Sequence, residues 1–312
     1  MKRDFSFRNF LCGTSLSNYV FQKMPYAKQI ELAKEKIKEA DFILIGAGSG
    51  LSTAAGAEYG GKWFEENFSE FQKKYGKGDF MRDMYSAGFY PFPDEESFWG
   101  YWARHALLGG IELDVTSLYK KFLLLFEEKN LFCLTTNVDK QFEKAGLSKE
   151  KIFETQGDYF HIQCAKGCHK KTYDATNLFK KMKEKTVDCK IPSSLVPKCP
   201  VCGGAMNMNL RSDNYFVEDE NWKTQEKNFS LFLENALNSK KKILLVEVGV
   251  GFNTPIIIRF PFEKLVRENK NVELLRLNLK EAVIPQDIEN KSIAINESLE
   301  KVIFEGIFRF GL

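Results

Sequence analysis

The chain has 312 residues, 44% of them hydrophobic and 28% charged, with a formal net charge of +3. Such a length can bury a large core, so one large domain with a smaller companion is expected. The near balance of charge gives no support for nucleic-acid binding through bulk electrostatics, and no apolar run approaches the ~18 residues of a membrane span. The first 24 residues mix Lys2, Arg3, Arg8 and Lys23 with aromatics and carry no apolar signal core. A cytoplasmic location is therefore expected, where thiols stay reduced and seven cysteines point to metal or chemistry before disulfides.

Residues 1–27 are unpatterned and read as an N-terminal extension, flexible or packed. Ile30, Ala33, Ile37 and Ala40 share one helical face leading into the apolar strand Phe42-Ile43-Leu44-Ile45. A glycine-rich turn follows at once, Gly46-Ala47-Gly48-Ser49-Gly50-Leu51-Ser52, and Thr53-Ala54-Ala55-Gly56 reads as the start of a helix. Glycines let backbone approach a ligand closely, and a helix N-terminus favours a pyrophosphate. The spacing is not that of an ordinary dehydrogenase: Leu51 stands where the third glycine belongs, and no strand ending in an acid follows about 20 residues later. A turn serving packing alone is the other reading.

Residues 58–110 are rich in aromatics. Trp63 or Phe64, Phe68, Phe71 and Tyr75 recur at helical spacing, as do Phe98, Trp102 and His105. Both stripes read as core, with a helical lid over the glycine turn as the alternative. A helix over 118–128 and strands over 131–135 and 152–155 come next. Residues 163–209 break the rhythm. It resumes with a helix over 228–238, a strand over 243–248 that is apolar apart from Glu247, and a helix over 255–268 interrupted at Pro261. Strands over 272–277 and 292–295 and a closing helix over 297–308 complete the chain. The fold class is α/β: a Rossmann-like parallel sheet with helices on both faces, spanning 28–312. A helical segment, 59–110, and a cysteine module, 157–215, are inserted into it.

Cys164 and Cys168 form a C-x3-C pair, and Cys199 and Cys202 a C-x2-C pair followed by Gly203-Gly204. Two such knuckles fit tetrahedral zinc, and four cysteines leave no open position, so the metal is expected to be structural. Cys12, Cys133 and Cys189 are left over. Cys189 or His169 replacing one ligand, or a redox role for the second pair, are the alternatives.

Several strands end in polar or glycine turns: Thr136-Asn137-Val138-Asp139, Gln156-Gly157-Asp158, Gly249-Val250-Gly251-Phe252-Asn253, and Asn278. Helix capping explains any one of these. With the first glycine turn they make five, which argues for one shared site at the carboxyl ends of the strands.

This pattern resembles the sirtuin (Sir2) family over about residues 28–306, nearly the whole chain. Gly46-Ala47-Gly48 with Ser52 and Gly56 is similar to its first NAD motif, and Thr136-Asn137-Val138-Asp139 to its T-Q-N-I-D segment. Residues 249–253 are similar to its ribose-contacting turn, Asn278 to its adenine-side asparagine, and the four cysteines to its structural zinc site. The resemblance implies NAD as co-substrate, held by Gly46, Ala47, Gly48, Gly50, Leu51, Ser52, Glu58, Tyr59, Asn137, Asp139, Gln156, Gly249, Gly251, Asn253 and Asn278. It also implies zinc on Cys164, Cys168, Cys199 and Cys202.

The departures narrow the resemblance. Family deacylases carry a histidine where this chain has Gln156. Glu58-Tyr59-Gly60 stands for their D-F-R, and residues 209–219 replace the segment that pairs with an acyl-lysine peptide. These features resemble the macrodomain-associated, class M sirtuins. That implies a protein ADP-ribosyltransferase acting on a lipoylated glycine-cleavage-H-like carrier, with a macrodomain hydrolase reversing the mark.

Deacylation needs a base with a pKa near neutrality, which histidine supplies. Glutamine only donates and accepts hydrogen bonds. Gln156 should therefore impair acyl transfer and spare cleavage of the nicotinamide bond, which depends on positioning and charge stabilisation. Asn137 is expected to orient nicotinamide or ribose, Asp139 to hold the carboxamide, and Gln156 to position ribose or acceptor. His161 is expected to pack near the zinc. Arg211 either holds an anionic group of the acceptor or pairs with Asp213 or Glu218. A deacylase tolerant of glutamine, an NAD glycohydrolase and a non-catalytic NAD sensor are the competing readings.

Overall fold

The computed structural model describes residues 6–13, 17–76 and 78–307. Its strands, in chain order, are β1 (Tyr19–Phe21), β2 (Phe42–Ala47), β3 (Asn130–Thr135), β4 (Ile152–Glu154), β5 (Gly157–Cys164), β6 (Thr172–Asp174), β7 (Met206–Leu210), β8 (Ile243–Val248), β9 (Val272–Leu277), β10 (Val283–Pro285) and β11 (Ser292–Ile295). Six form one sheet in the order β11-β9-β8-β2-β3-β4, with every neighbour parallel. Runs such as Ile43-Leu44-Ile45 and Leu244-Leu245-Val246 are buried throughout because helices cover both faces.

One face packs the helices Tyr26–Glu39 and Ser117–Leu124, and the other packs Glu220–Asn238 and Arg259–Glu268. The chain leaves β2 toward β3 and β4 on one side, then returns to β8 on the other. The turns after β2 and β8 therefore flank a crevice where strand order reverses, the usual ligand position in an open α/β sheet.

Several element boundaries differ from the sequence reading, each for a local reason. The helix expected from 228 begins at Glu220, because the Asp219 side chain caps it by accepting from the Trp222 amide at 2.9 Å. Pro261 does not interrupt its helix. The helix starts only at Arg259, so Pro261 lies in the first turn, where a missing N–H is harmless. The helix after β2 runs Ser49–Ala54, and Gly56, with φ of +94°, lies beyond its end and not at its start. The closing segment is a wide-wound helix, Lys301–Ile307; Phe308 lies outside the described residues.

The aromatic segment folds as the helices Gly61–Tyr75 and Glu95–Ala106. Phe64, Phe68, Phe71 and Tyr101 are fully buried together, forming a separate small core. Each buried phenylalanine stabilises by roughly 1.5–3 kcal/mol. In the cysteine module β5 pairs antiparallel with β6 and β7 around another small core.

The first described residues are woven into the main body. The helix Phe7–Phe10 places both rings in the sheet's core against Phe153, Phe229 and Phe262, and β1 pairs antiparallel with β10.

Candidate functional site

A cleft of about 520 Å³ opens at the carboxyl ends of the parallel strands. Gly48 and Gly50 enter it from β2, Thr136 from β3, Gly249, Val250, Gly251, Asn253 and Thr254 from β8, and residues 278–281 from β9. Residues 298–300, after β11, complete the rim; sequence reasoning missed them, since that short turn lacks a glycine or a motif.

The two glycine turns touch backbone to backbone. Gly50 donates its N–H to the Gly249 carbonyl at 3.0 Å. A Cβ on Gly48 would lie 2.7 Å from that oxygen, and one on Gly249 would lie 2.2 Å from the Leu51 nitrogen. Gly249 also has φ of +62°, a conformation side chains resist. Asn278 lines the cleft but its side chain builds the wall: Nδ2 donates to the Val250 carbonyl, and Oδ1 accepts from the Lys280 and Glu281 amides.

Beside the cleft, Ser52, Tyr119, Asn137 and Asp139 form a buried hydrogen-bonded knot. Asn137 Nδ2 donates to Ser52 Oγ at 3.2 Å, to Tyr119 OH at 3.1 Å and to the Gly48 carbonyl at 3.1 Å. Ser52 Oγ donates to Asp139 Oδ2, and Asp139 Oδ1 accepts from the Gln141 amide at 3.0 Å. Burial raises the Asp139 pKa, opposed by the Ser52 hydrogen bond. Burial, and then the Asp139 charge, push the Tyr59 phenol upward too. Tyr119 was not singled out in the sequence, because it sits in an amphipathic helix with nothing to distinguish it from core.

Other expected contact residues lie elsewhere. Gly46 packs on a helix instead: a Cβ there would lie 2.4 Å from Ile258 Cγ2. The Ala47 and Leu51 side chains are in the core, and Glu58 is exposed and outside the cleft lining. Gln156 also lies outside that lining, at the end of β4, where its carbonyl accepts from the Arg211 amide at 3.0 Å. Arg211 resolves as an ion pair with Glu218 at 3.0 Å, its guanidinium stacked 4.2 Å over the Phe216 ring and its Nε donating to the Thr155 carbonyl.

The three histidines are all engaged. His105 bridges the hydroxyls of Tyr101 and Tyr159, and complete burial lowers its pKa to about 3. His161 pairs through Nδ1 with Asp158 at 2.8 Å. That pair lines a separate cavity of about 90 Å³ with Glu154, whose pKa burial and the Asp158 charge raise to about 8. His169 places Nδ1 3.1 Å from Cys168 Sγ.

The four paired cysteines converge, with all sulfurs within 4.8 Å of one another. Cys164 and Cys202 are 3.7 Å apart, and Cys168 and Cys199 3.6 Å. A tetrahedron with Zn–S of about 2.3 Å has edges of about 3.8 Å, so the set fits a closed structural zinc site. Neither Cys189 nor His169 is needed as a ligand. Among the described residues, no helix is long and apolar enough to cross a membrane.

The chain matches the Sir2 family over residues 63–240. A Staphylococcus aureus relative, "Protein ADP-ribosyltransferase", is 33% identical over 88% of this chain and 86% of its own length. A Fusarium oxysporum f. sp. cubense relative, "Probable bifunctional ADP-ribose hydrolase/ADP-ribosyltransferase", is 30% identical over 85% of this chain, which spans 45% of that longer protein. A Sir2 homolog–NAD complex shares the fold with a TM-score of 0.56 at 13% identity, covering 94% of this chain and 96% of that one. Sir2Tm bound to a propionylated peptide does so with a TM-score of 0.51 at 20% identity, over 89% and 98%. The chain belongs to the Sir2 family. Within it, this is a sirtuin-type, NAD-dependent ADP-ribosyltransferase.

Proposed function

We propose that NAD lies across the 520 Å³ cleft and that its ADP-ribose passes to a lipoylated glycine-cleavage-H-like carrier protein. The glycine turns at Gly48, Gly50 and Gly249 take the pyrophosphate, Gly251 and Asn253 take the adenosine side, and the nicotinamide end points toward Asn137 and Asp139. Asn137 orients nicotinamide and ribose through its amide. Asp139 holds the carboxamide and faces the positive charge that develops on the ribose. The nicotinamide–ribose bond breaks with its electron pair leaving on nicotinamide. The acceptor's nucleophile bonds to the ribose carbon and releases its proton. Gln156 positions the acceptor or ribose by hydrogen bonding. The cysteine-bound zinc holds the small module together and takes no part in the chemistry.

The observation that carries this reading is the placement of the histidines. His105 is buried between two tyrosines, His161 is tied to Asp158, and His169 stands at the cysteines. By the resemblance, the Gln156 amide takes the place of the deacylases' base, and the reaction then stops at ADP-ribose transfer. Labelled NAD with the lipoylated carrier should give one ADP-ribose per carrier, and a macrodomain hydrolase should remove it. The unlipoylated carrier should stay unlabelled, and Asn137→Ala should abolish labelling. Robust removal of acyl groups from lysine with no label on the carrier would reject the proposal. NAD loss with no labelled protein would favour a glycohydrolase.

A further inference from the structure

Tyr19 of the N-terminal arm reaches the nucleotide turn in two ways, through its ring and through its hydroxyl. Its ring packs edge-on against Phe252, with centroids 5.4 Å apart and planes at 90°. Phe252 sits between Gly251 and Asn253 of the cleft lining. The Tyr19 hydroxyl donates to Glu263 Oε2 at 2.9 Å.

Glu263 opens a chain of charges that is buried inside the fold. Its Oε1 accepts from Arg276 Nη2 at 3.0 Å, and the same nitrogen donates to Glu247 Oε2 at 2.8 Å. Glu247 pairs with Arg259 at 3.4 Å. Arg259 Nη2 then donates to two carbonyls of the cleft wall, Val250 at 3.0 Å and Glu281 at 2.7 Å. Its guanidinium lies 4.1 Å from the Phe252 ring centroid. All four charged side chains are at most 1% exposed. Burying two carboxylates and two guanidiniums is expensive, and the charges stay in place only while each keeps its partners. Arg259 is thus the post under the turn, and Tyr19 ties off the far end of the network while bracing the ring above it.

We propose that Tyr19 is a positioning residue for nucleotide binding, holding the turn at residues 249–254 through Phe252 and through the buried charge network. The arm is then part of the nucleotide site, although none of its described residues lines the cleft. This rests on the placement of NAD in that cleft.

The test compares Tyr19→Ala, Tyr19→Phe, Gln22→Ala and Asn253→Ala. ADP-ribose binding is measured by calorimetry, and NAD turnover by steady-state kinetics. Tyr19→Ala should weaken ADP-ribose binding at least fivefold and raise the NAD KM in step, with kcat within twofold. Tyr19→Phe keeps the ring, loses one hydrogen bond, and should weaken binding at least twofold. Gln22→Ala cuts the arm's ties to Ser292 and Ala294, away from the turn. It should lower the Tm and leave ADP-ribose binding unchanged. A Tyr19→Phe protein that binds like the wild type overturns the proposal, and this variant decides alone if Tyr19→Ala does not fold. If Asn253→Ala also leaves binding unmoved, the placement of NAD in the cleft falls with it.

Discussion

The Ser52 hydroxyl donates to the Asp139 carboxylate inside the protein, while Asn137 donates to the same hydroxyl from the other side. A small polar side chain between two candidate catalytic groups thus sets the orientation of one and the ionisation of the other. Ser52→Ala removes the hydrogen bond that opposes burial, so the Asp139 pKa should climb further. Losing a partner from a buried carboxylate costs about 1–3 kcal/mol. If the ionised carboxylate serves the reaction, NAD cleavage should fall roughly 10- to 100-fold near neutrality. The acid limb of its pH–rate profile should move to higher pH. An unchanged profile would remove Asp139 from the mechanism.

Folding raises the Glu154 pKa to about 8, so the folded chain holds that proton more tightly than the unfolded one. The associated stability is fully present below the ordinary carboxylate value and fades as pH climbs through about 8. Glu154→Gln removes a charge that burial penalises. Thermal melts should show it gaining on the wild type with rising pH, on the order of 2–4 kcal/mol between pH 5 and pH 9. Parallel stability curves would contradict the shift.

Two alanine substitutions two positions apart in the same turn should behave differently. Gly249→Ala meets Leu51 backbone at 2.2 Å and needs an unfavourable φ, so nucleotide binding should be lost or fall at least tenfold. Gly251→Ala meets only the Glu281 carboxylate, at 2.8 Å, and a side chain can swing aside. Its effect on the ADP-ribose Kd should stay within about threefold. Equal losses would show that the turn tolerates no added atom, whatever the backbone geometry.

Stripping metal with a chelator, or substituting Cys202→Ser, should release the small module from its staple. Elemental analysis should find one zinc per chain before treatment, and the Tm should fall by about 10 °C or more after it. A protein that holds no zinc, or loses it without a change in Tm, would show that the cysteines pack without metal.

The parallel sheet was legible because β2, β3 and, apart from Glu247, β8 are largely apolar runs closed by glycine or polar turns, and strands buried on both faces leave that mark; β9 carries Glu273 and Arg276 among its apolar residues. The cysteine pairs were legible for the same local reason. The knot was half legible: Asn137 and Asp139 stand in a motif, whereas Tyr119 joins them from a helix 18 residues earlier than Asn137. Gly46 and Leu51 belong to a ligand-like motif, yet their side-chain positions face packed helix and core. A run of residues cannot reveal which of its members turns outward. The arm was opaque because Phe7, Phe10 and Tyr19 take partners in elements far along the chain.

The ladder joining β1 to β10 carries an implication for how the molecule is made. Tyr19 meets Glu263, 244 positions further along, and β1 pairs with residues 283–285, so a growing polypeptide cannot close this joint until residue 285 has left the ribosome. Until then the coenzyme pocket lacks its brace, although Phe7 already has its partners Phe153, Trp222 and Phe229. Nascent chains should therefore gain their full affinity for the coenzyme only after this joint closes.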